Sequence, residues 1–136
     1  MRVSLSLGSS LAKYLFKKKF LSKERFPLVL MLEVTHLCNL ACEGCGRIRE
    51  YKETMREMLS VEECIQAVDE CPAPVVTVTG GEPLMHPEID KIISAIIEKK
   101  RHIYLCTNGI LLADAIKKLK PNKYFNINIH IDGLTK

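Results

Sequence analysis

No apolar run in these 136 residues approaches the roughly 20 needed to cross a bilayer. The N-terminus likewise lacks the apolar core and small-residue cleavage site of a secretory signal. Both absences point to a cytoplasmic, hence reducing, location. There the six cysteines, at 38, 42, 45, 64, 71 and 106, read as metal ligands, catalytic thiols or core residues rather than disulfides. Acid is nearly missing from the first 25 residues, where Glu24 alone faces Arg2, Lys13, Lys17, Lys18, Lys19, Lys23 and Arg25. Because the whole chain carries a net charge of only +4, the remainder is mildly acidic, which argues against a nucleic-acid-binding body. Internal repeats and low-complexity tracts are absent. With 47% hydrophobic and 26% charged residues, the composition is that of an ordinary globular chain.

Strand-like and helix-like segments alternate after the leader. Leu28–Leu32 is a continuous apolar run, as expected of a parallel strand buried on both faces. Val75–Thr79 stops at Gly80-Gly81, His102–Thr107 at Asn108-Gly109, and Tyr124–Ile131 at Asp132-Gly133. Ser60 and Glu63 make a capping box ahead of Val61, Cys64, Ile65 and Val68 at helical spacing. Pro87 suits a first helical position, before the apolar face of Ile89, Ile92, Ile93, Ile96 and Ile97 and a basic end over Glu98–Arg101. A shorter helix is expected from Leu111 to Leu119, ending before Pro121. This order predicts an α/β fold with a parallel sheet and helical crossovers, whose functional groups lie at the C-terminal ends of the strands. The last strand would be an apolar edge without a neighbour, so further strand–helix units are expected beyond it. Residues 1–27 read as a basic N-terminal segment and 28–136 as one core domain.

Cys38, Cys42 and Cys45 are spaced CxxxCxxC after the first strand. Three thiolates on one loop can hold three corners of a cubane and leave the fourth iron open to a small molecule. Gly44 and Gly46 would let the backbone wrap closely around it. A zinc site completed by His36 or a distant cysteine is one alternative, and a redox pair of Cys42 and Cys45 is another.

CNLACEGCG after the first strand, GGEP after the second, TNG after the third and HIDG after the fourth together resemble the radical S-adenosylmethionine (SAM) superfamily, over about residues 28–133. The resemblance implies a partial (β/α)6 TIM-like barrel, truncated here after its fourth strand. It implies a [4Fe–4S] cluster on Cys38, Cys42 and Cys45, with SAM chelating the open iron. Gly80, Gly81 and Glu82 correspond to the segment that receives the SAM amino group. The Glu82 carboxylate suits an ammonium, although a glycine pair also makes a plain turn. Thr107, Asn108 and Asp132 would stand beside SAM or substrate, although Asn-Gly and Asp-Gly are ordinary turns as well. Gly44 departs from the many members that carry an aromatic residue there.

RFPLVLMLE, CNLACEGCGRI, GGEPLMHPEID and YLCTNGILL further resemble the adenosylhopane synthase branch, which shares a glycine at position 44. That likeness implies addition of the 5′-deoxyadenosyl radical to a hopene, a polycyclic isoprenoid lipid, with an external one-electron donor. Cys106 would then donate a hydrogen atom; the alternative is a small buried hydrophobe. Cys64 and Cys71 read as core. In the leader, Leu11, Tyr14, Leu15, Lys18 and Leu21 form a moderately amphipathic basic stripe. It could lie on an anionic membrane, serve as a solvated arm, or close the bottom of the barrel. A branch maturing peptides or cofactors and releasing 5′-deoxyadenosine is the alternative function, and a zinc-binding module the more distant one.

Overall fold

The computed structural model describes residues 5–21, 25–46 and 53–131. Among them, β1 (Val29–Glu33), β2 (Val75–Thr79), β3 (His102–Thr107) and β4 (Phe125–Ile129) form one parallel sheet in the order β1-β2-β3-β4. A doubly wound sheet would reverse direction at a switch point, whereas strictly sequential neighbours build the wall of a barrel. The helices are α1 (Leu5–Leu21), α2 (Val61–Glu70), α3 (Ile89–Glu98) and the short α4 (Leu112–Ala115), with a 3₁₀ turn at Pro83–Met85.

Alternation along the strands decides which face is covered. Leu30 and Leu32, Val76 and Val78, Ile103 and Leu105, and Phe125 and Ile127 join one core with Cys64 and Val68 of α2 and Ile89, Ile92, Ile93 and Ile96 of α3. Each fully buried isoleucine here contributes about 1.5–3 kcal/mol of hydrophobic stabilisation. The opposite face is open, with Val29 52% and Met31 66% exposed. The expectation that the first apolar run is buried on both faces is therefore corrected. Helices cover one side of the sheet, and the other is the side that a barrel encloses.

The helix signals hold with shifted edges. Ser60 Oγ accepts the Glu63 N–H at 3.1 Å, and Glu63 Oε2 accepts the Ser60 N–H at 2.7 Å, completing the capping box. The Ser60 N–H and, at 2.9 Å, the Ser60 hydroxyl both donate to the exposed Glu63 carboxyl and hold it below its usual range. Pro87 lies outside α3, which begins at Ile89; the proline that opens a helical turn is Pro83. Buried His86 shapes this turn, its Nδ1 accepting the Glu88 N–H at 3.1 Å and its Nε2 lying 2.8 Å from the Leu59 carbonyl. The basic end of α3 reaches sideways as well. Lys99 pairs with Asp69 of α2 at 2.7 Å, and Arg101 donates to the Pro72 and Ala73 carbonyls. Four residues of α4 replace the longer expected helix, because Lys117 and Lys118 bond carbonyls three residues back, the tighter 3₁₀ pattern that ends helices.

The leader docks on the sheet. Leu7 is buried, Ser10 Oγ lies 3.1 Å from His102 Nε2, and the Tyr14 hydroxyl donates to the Pro27 carbonyl at 2.8 Å. These partners stand at or just before the N-terminal ends of β1 and β3, so α1 closes the bottom of the sheet. This arrangement matches the alternative in which the leader closes the bottom of the barrel: Tyr14 turns toward protein, while Leu15, Phe16 and Phe20 are exposed. No helix among the described residues is long and apolar enough to cross a membrane.

Acidification should loosen this docking. Burial pushes the His102 imidazole below its ordinary value, assisted by nearby Lys123 and opposed by a bond from Ser6. An unfolded histidine titrates near about 6.5, so below that pH the unfolded chain binds the extra proton first. Stability present above about pH 6.5 is then lost progressively as pH falls toward the lower folded value. Urea midpoints should drop more between pH 7.5 and 5.5 for the native protein than for His102→Gln. Parallel pH profiles would show that His102 plays no part.

Candidate active site

The cysteine loop begins where β1 ends. Val34 N–H bonds the Thr79 carbonyl at 3.0 Å, prolonging the β1–β2 ladder, and Thr35 bridges Met58. His36 is engaged by Thr54, its Nδ1 lying 3.0 Å from the carbonyl and 3.1 Å from the hydroxyl. Cys38 and Cys42 are exposed and Cys45 half-buried. The Cys45 N–H bonds the Cys42 carbonyl at 3.1 Å in a turn, and the Leu40 N–H points at Cys38 Sγ at 3.5 Å. Among the described residues no three His, Cys, Asp or Glu side chains are gathered as a metal-binding group. The loop presents its thiols at the mouth without drawing them together. As a donor set, three soft thiolates on one loop, none of them in a disulfide, fit an iron–sulfur cluster. A Cβ on Gly44 would meet no protein atom within 4 Å.

Gly80 and Gly81 are demanded by packing. A Cβ on Gly80 would lie 2.3 Å from the Thr35 carbonyl oxygen, and one on Gly81 2.1 Å from that of Leu37. Through this close contact the Gly81 N–H bonds the Thr35 carbonyl at 2.8 Å and the Glu82 N–H bonds the Leu37 carbonyl at 2.7 Å. The pair is more than a turn: it clamps the root of the cysteine loop onto β2.

Glu82 turns inward and is 1% exposed. Its Oε1 accepts the Leu84 N–H at 3.0 Å and the Thr107 hydroxyl at 2.8 Å, while Oε2 accepts the Asn108 N–H at 2.8 Å. Thr107, also buried, accepts the Gly109 N–H on the same oxygen at 3.0 Å. Both side chains lock the second loop to the third. Asn108 reaches the first loop, its Nδ2 donating to Asn39 Oδ1 at 2.7 Å.

Cys106 is half-buried on the open face of β3, between buried Leu105 and Thr107 and in register with Asn128 of β4. It stands outside the hydrophobic core, unlike Cys64, whose thiol burial pushes up to about 11, with Glu63 adding to the shift. Cys71 is half-buried at the C-terminal cap of α2 rather than in the core. Asp132 lies outside the described residues. Thr35, Leu37 and Asn39 escaped the sequence reading. The glycine pair was the signal for the first two, since adjacent glycines after a buried strand announce a close backbone approach.

The sequence model of the Radical SAM superfamily matches residues 32–136. GTP 3′,8-cyclase of Aliarcobacter butzleri (strain RM4018) is 35% identical over 114 residues, covering 79% of this chain and 35% of that protein. GTP 3′,8-cyclase 3 of Mycobacterium tuberculosis (strain CDC 1551 / Oshkosh) is 36% identical over 115 residues, covering 77% and 30%. Among solved structures, Streptococcus suis SuiB bound to precursor peptide SuiA superposes with a TM-score of 0.66 at 22% identity, covering 95% of this chain and 30% of that one. SuiB bound to S-adenosylmethionine gives 0.62 at 23%. At these identities the superpositions show the fold alone. The chain spans about a third of the length of these relatives. It belongs to the radical SAM superfamily, whose enzymes use a [4Fe–4S] cluster and S-adenosylmethionine.

Proposed function

We propose that the full-length protein cleaves SAM reductively and uses the adenosyl radical to abstract hydrogen from a substrate in cofactor or peptide maturation. The observation that carries this reading is the convergence of three loops at one end of the sheet, where the Thr35–Cys45, Gly80–Glu82 and Thr107–Gly109 segments are bonded to one another. Cys38, Cys42 and Cys45 would hold the cluster. When bound and reduced by an external one-electron donor, it supplies the electron that breaks a carbon–sulfur bond of SAM. The Gly80 and Gly81 carbonyls, rather than the Glu82 side chain, would receive the SAM ammonium, and Asn108 and Asp132 would border the same mouth. The names of the relatives, a GTP cyclase and an enzyme solved with a precursor peptide, favour this branch.

A second reading is addition of the adenosyl group to a hopene. It is favoured by Gly44, by the segments shared with that branch, and by Cys106 facing the open side of the sheet. There the Cys106 S–H would give its hydrogen atom to the substrate radical, and the external donor with a proton would restore the thiol.

Anaerobic incubation of the full-length protein with SAM, a strong reductant and diploptene, read by mass spectrometry, separates the two. Release of 5′-deoxyadenosine without an adduct supports maturation chemistry, whereas an adenosyl–hopane adduct supports the second reading. In that case unchanged yield and stereochemistry in Cys106→Ala would remove the donor role. Purified protein holding zinc, with neither iron nor sulfide, would overturn both readings.

A further inference from the structure

The cysteine loop is exposed, and its bonds to the rest of the protein are few. Its root is clamped at Thr35 and Leu37, but within residues 38–46 the hydrogen bonds so far described are local, from Leu40 to Cys38 and from Cys45 to Cys42. Among the described residues, a single hydrogen bond ties this stretch to another element: Asn108 Nδ2 to Asn39 Oδ1, 2.7 Å across 69 residues of chain. The Asn108 amide cannot turn over freely. Its Oδ1 accepts the Ile110 N–H at 3.0 Å, which leaves Nδ2 as the donor and requires an oxygen on Asn39. Behind it, the Asn108 N–H is fixed by buried Glu82, itself held by Leu84 and Thr107. A rigid buried carboxylate thus extends, through one amide, to the residue that follows the first cysteine.

We infer that the Asn39–Asn108 bond is a clasp that positions the cysteine loop over the SAM site, with Asn39 a positioning residue and not a ligand. The inference rests on the cluster belonging to this loop and is independent of the substrate. A neutral side-chain hydrogen bond at an exposed site contributes about 0.5–1.5 kcal/mol, enough for a several-fold effect without unfolding. Without the clasp, the three thiols still reach a cluster, but the loop samples more positions relative to the Gly80–Glu82 segment.

The test uses the full-length protein in two states. In apo protein, hydrogen–deuterium exchange over residues 38–46 should quicken about fivefold in Asn39→Ala and in Asn108→Ala. The double variant should be no faster than Asn108→Ala, because each single already removes the bond the two residues share, while Asn108→Ala also frees the Ile110 N–H. Asn39→Asp keeps the acceptor oxygen and should stay slow. After reconstitution, Asn39→Ala should retain native iron and sulfide content while the KM for SAM rises several-fold and kcat changes less. Additive effects of the two alanines, or native exchange in both, would overturn the clasp. So would loss of iron together with a lower melting temperature in Asn39→Asp, since that pattern marks a merely structural residue. A native protein that takes up no iron would sink the cluster assignment and leave the exchange result to judge the clasp alone.

Discussion

Alanine at Gly81 is expected to destabilise the protein by about 3–5 kcal/mol, combining overpacking with two lost backbone bonds. A Cβ there would stand 2.1 Å from the Leu37 oxygen, 2.5 Å from its carbon and 2.6 Å from the His36 oxygen. All three atoms are backbone, so no rotamer change relieves the overlap. Either β2 or the Thr35–Leu37 segment must retreat, and each retreat stretches the Gly81–Thr35 and Glu82–Leu37 bonds at 2.8 and 2.7 Å. Domains of this size have about 5–15 kcal/mol in total, so a large share of the stability is at stake. Urea denaturation of Gly81→Ala measures it, with Gly44→Ala as the comparison because its Cβ would meet open space. A native midpoint for Gly81→Ala would mean that the loop root slides at no cost, and that the clamp does not hold the cysteines in place.

Removal of the Glu82 carboxylate should be about as costly, by a different route. In Glu82→Ala the Leu84 N–H, the Asn108 N–H and the Thr107 hydroxyl all lose their acceptor, the hydroxyl fully buried and the two amides partly so. Each orphaned buried donor costs about 1–3 kcal/mol, so a total near 3–5 kcal/mol is expected after partial relaxation. Glu82→Gln keeps one acceptor oxygen, which can still serve Leu84 and Thr107, but its amide nitrogen then confronts the Asn108 N–H. An intermediate loss of about 1–2 kcal/mol should follow. The order alanine, glutamine, native in melting temperature is the signature of an internal brace. A residue that only received the SAM ammonium would leave apo stability untouched and change the KM for SAM alone.

Much of the fold was written locally. The β-branched Val75–Thr79 run, the His102–Thr107 run and the Ser60–Glu63 capping box needed only neighbours within a few residues, and the strands and helix start appear where those patterns put them. The gathering of the cysteines, GGEP and TNG at one end of the sheet was legible too. Each motif follows its strand, and a parallel sheet aligns all such ends. Boundaries slipped where a distant partner intervened: Pro87 stayed outside α3 because His86 reaches Leu59 and organises the turn first.

Sequence alone therefore determined the strands and their parallel direction, the helical face that fills the core and the set of loops that make the mouth. These follow from periodicity, capping and chain direction, which are properties of short stretches. Tertiary structure alone decided that Glu82 faces inward to Thr107, that Gly80 and Gly81 serve close approach to Thr35 and Leu37, and that Tyr14 turns α1 onto the sheet. A carboxylate, a glycine pair or an amphipathic stripe has the same local chemistry whether it meets ligand, solvent or protein. Which of these it meets within the protein is set by the groups that folding brings opposite it from far along the chain.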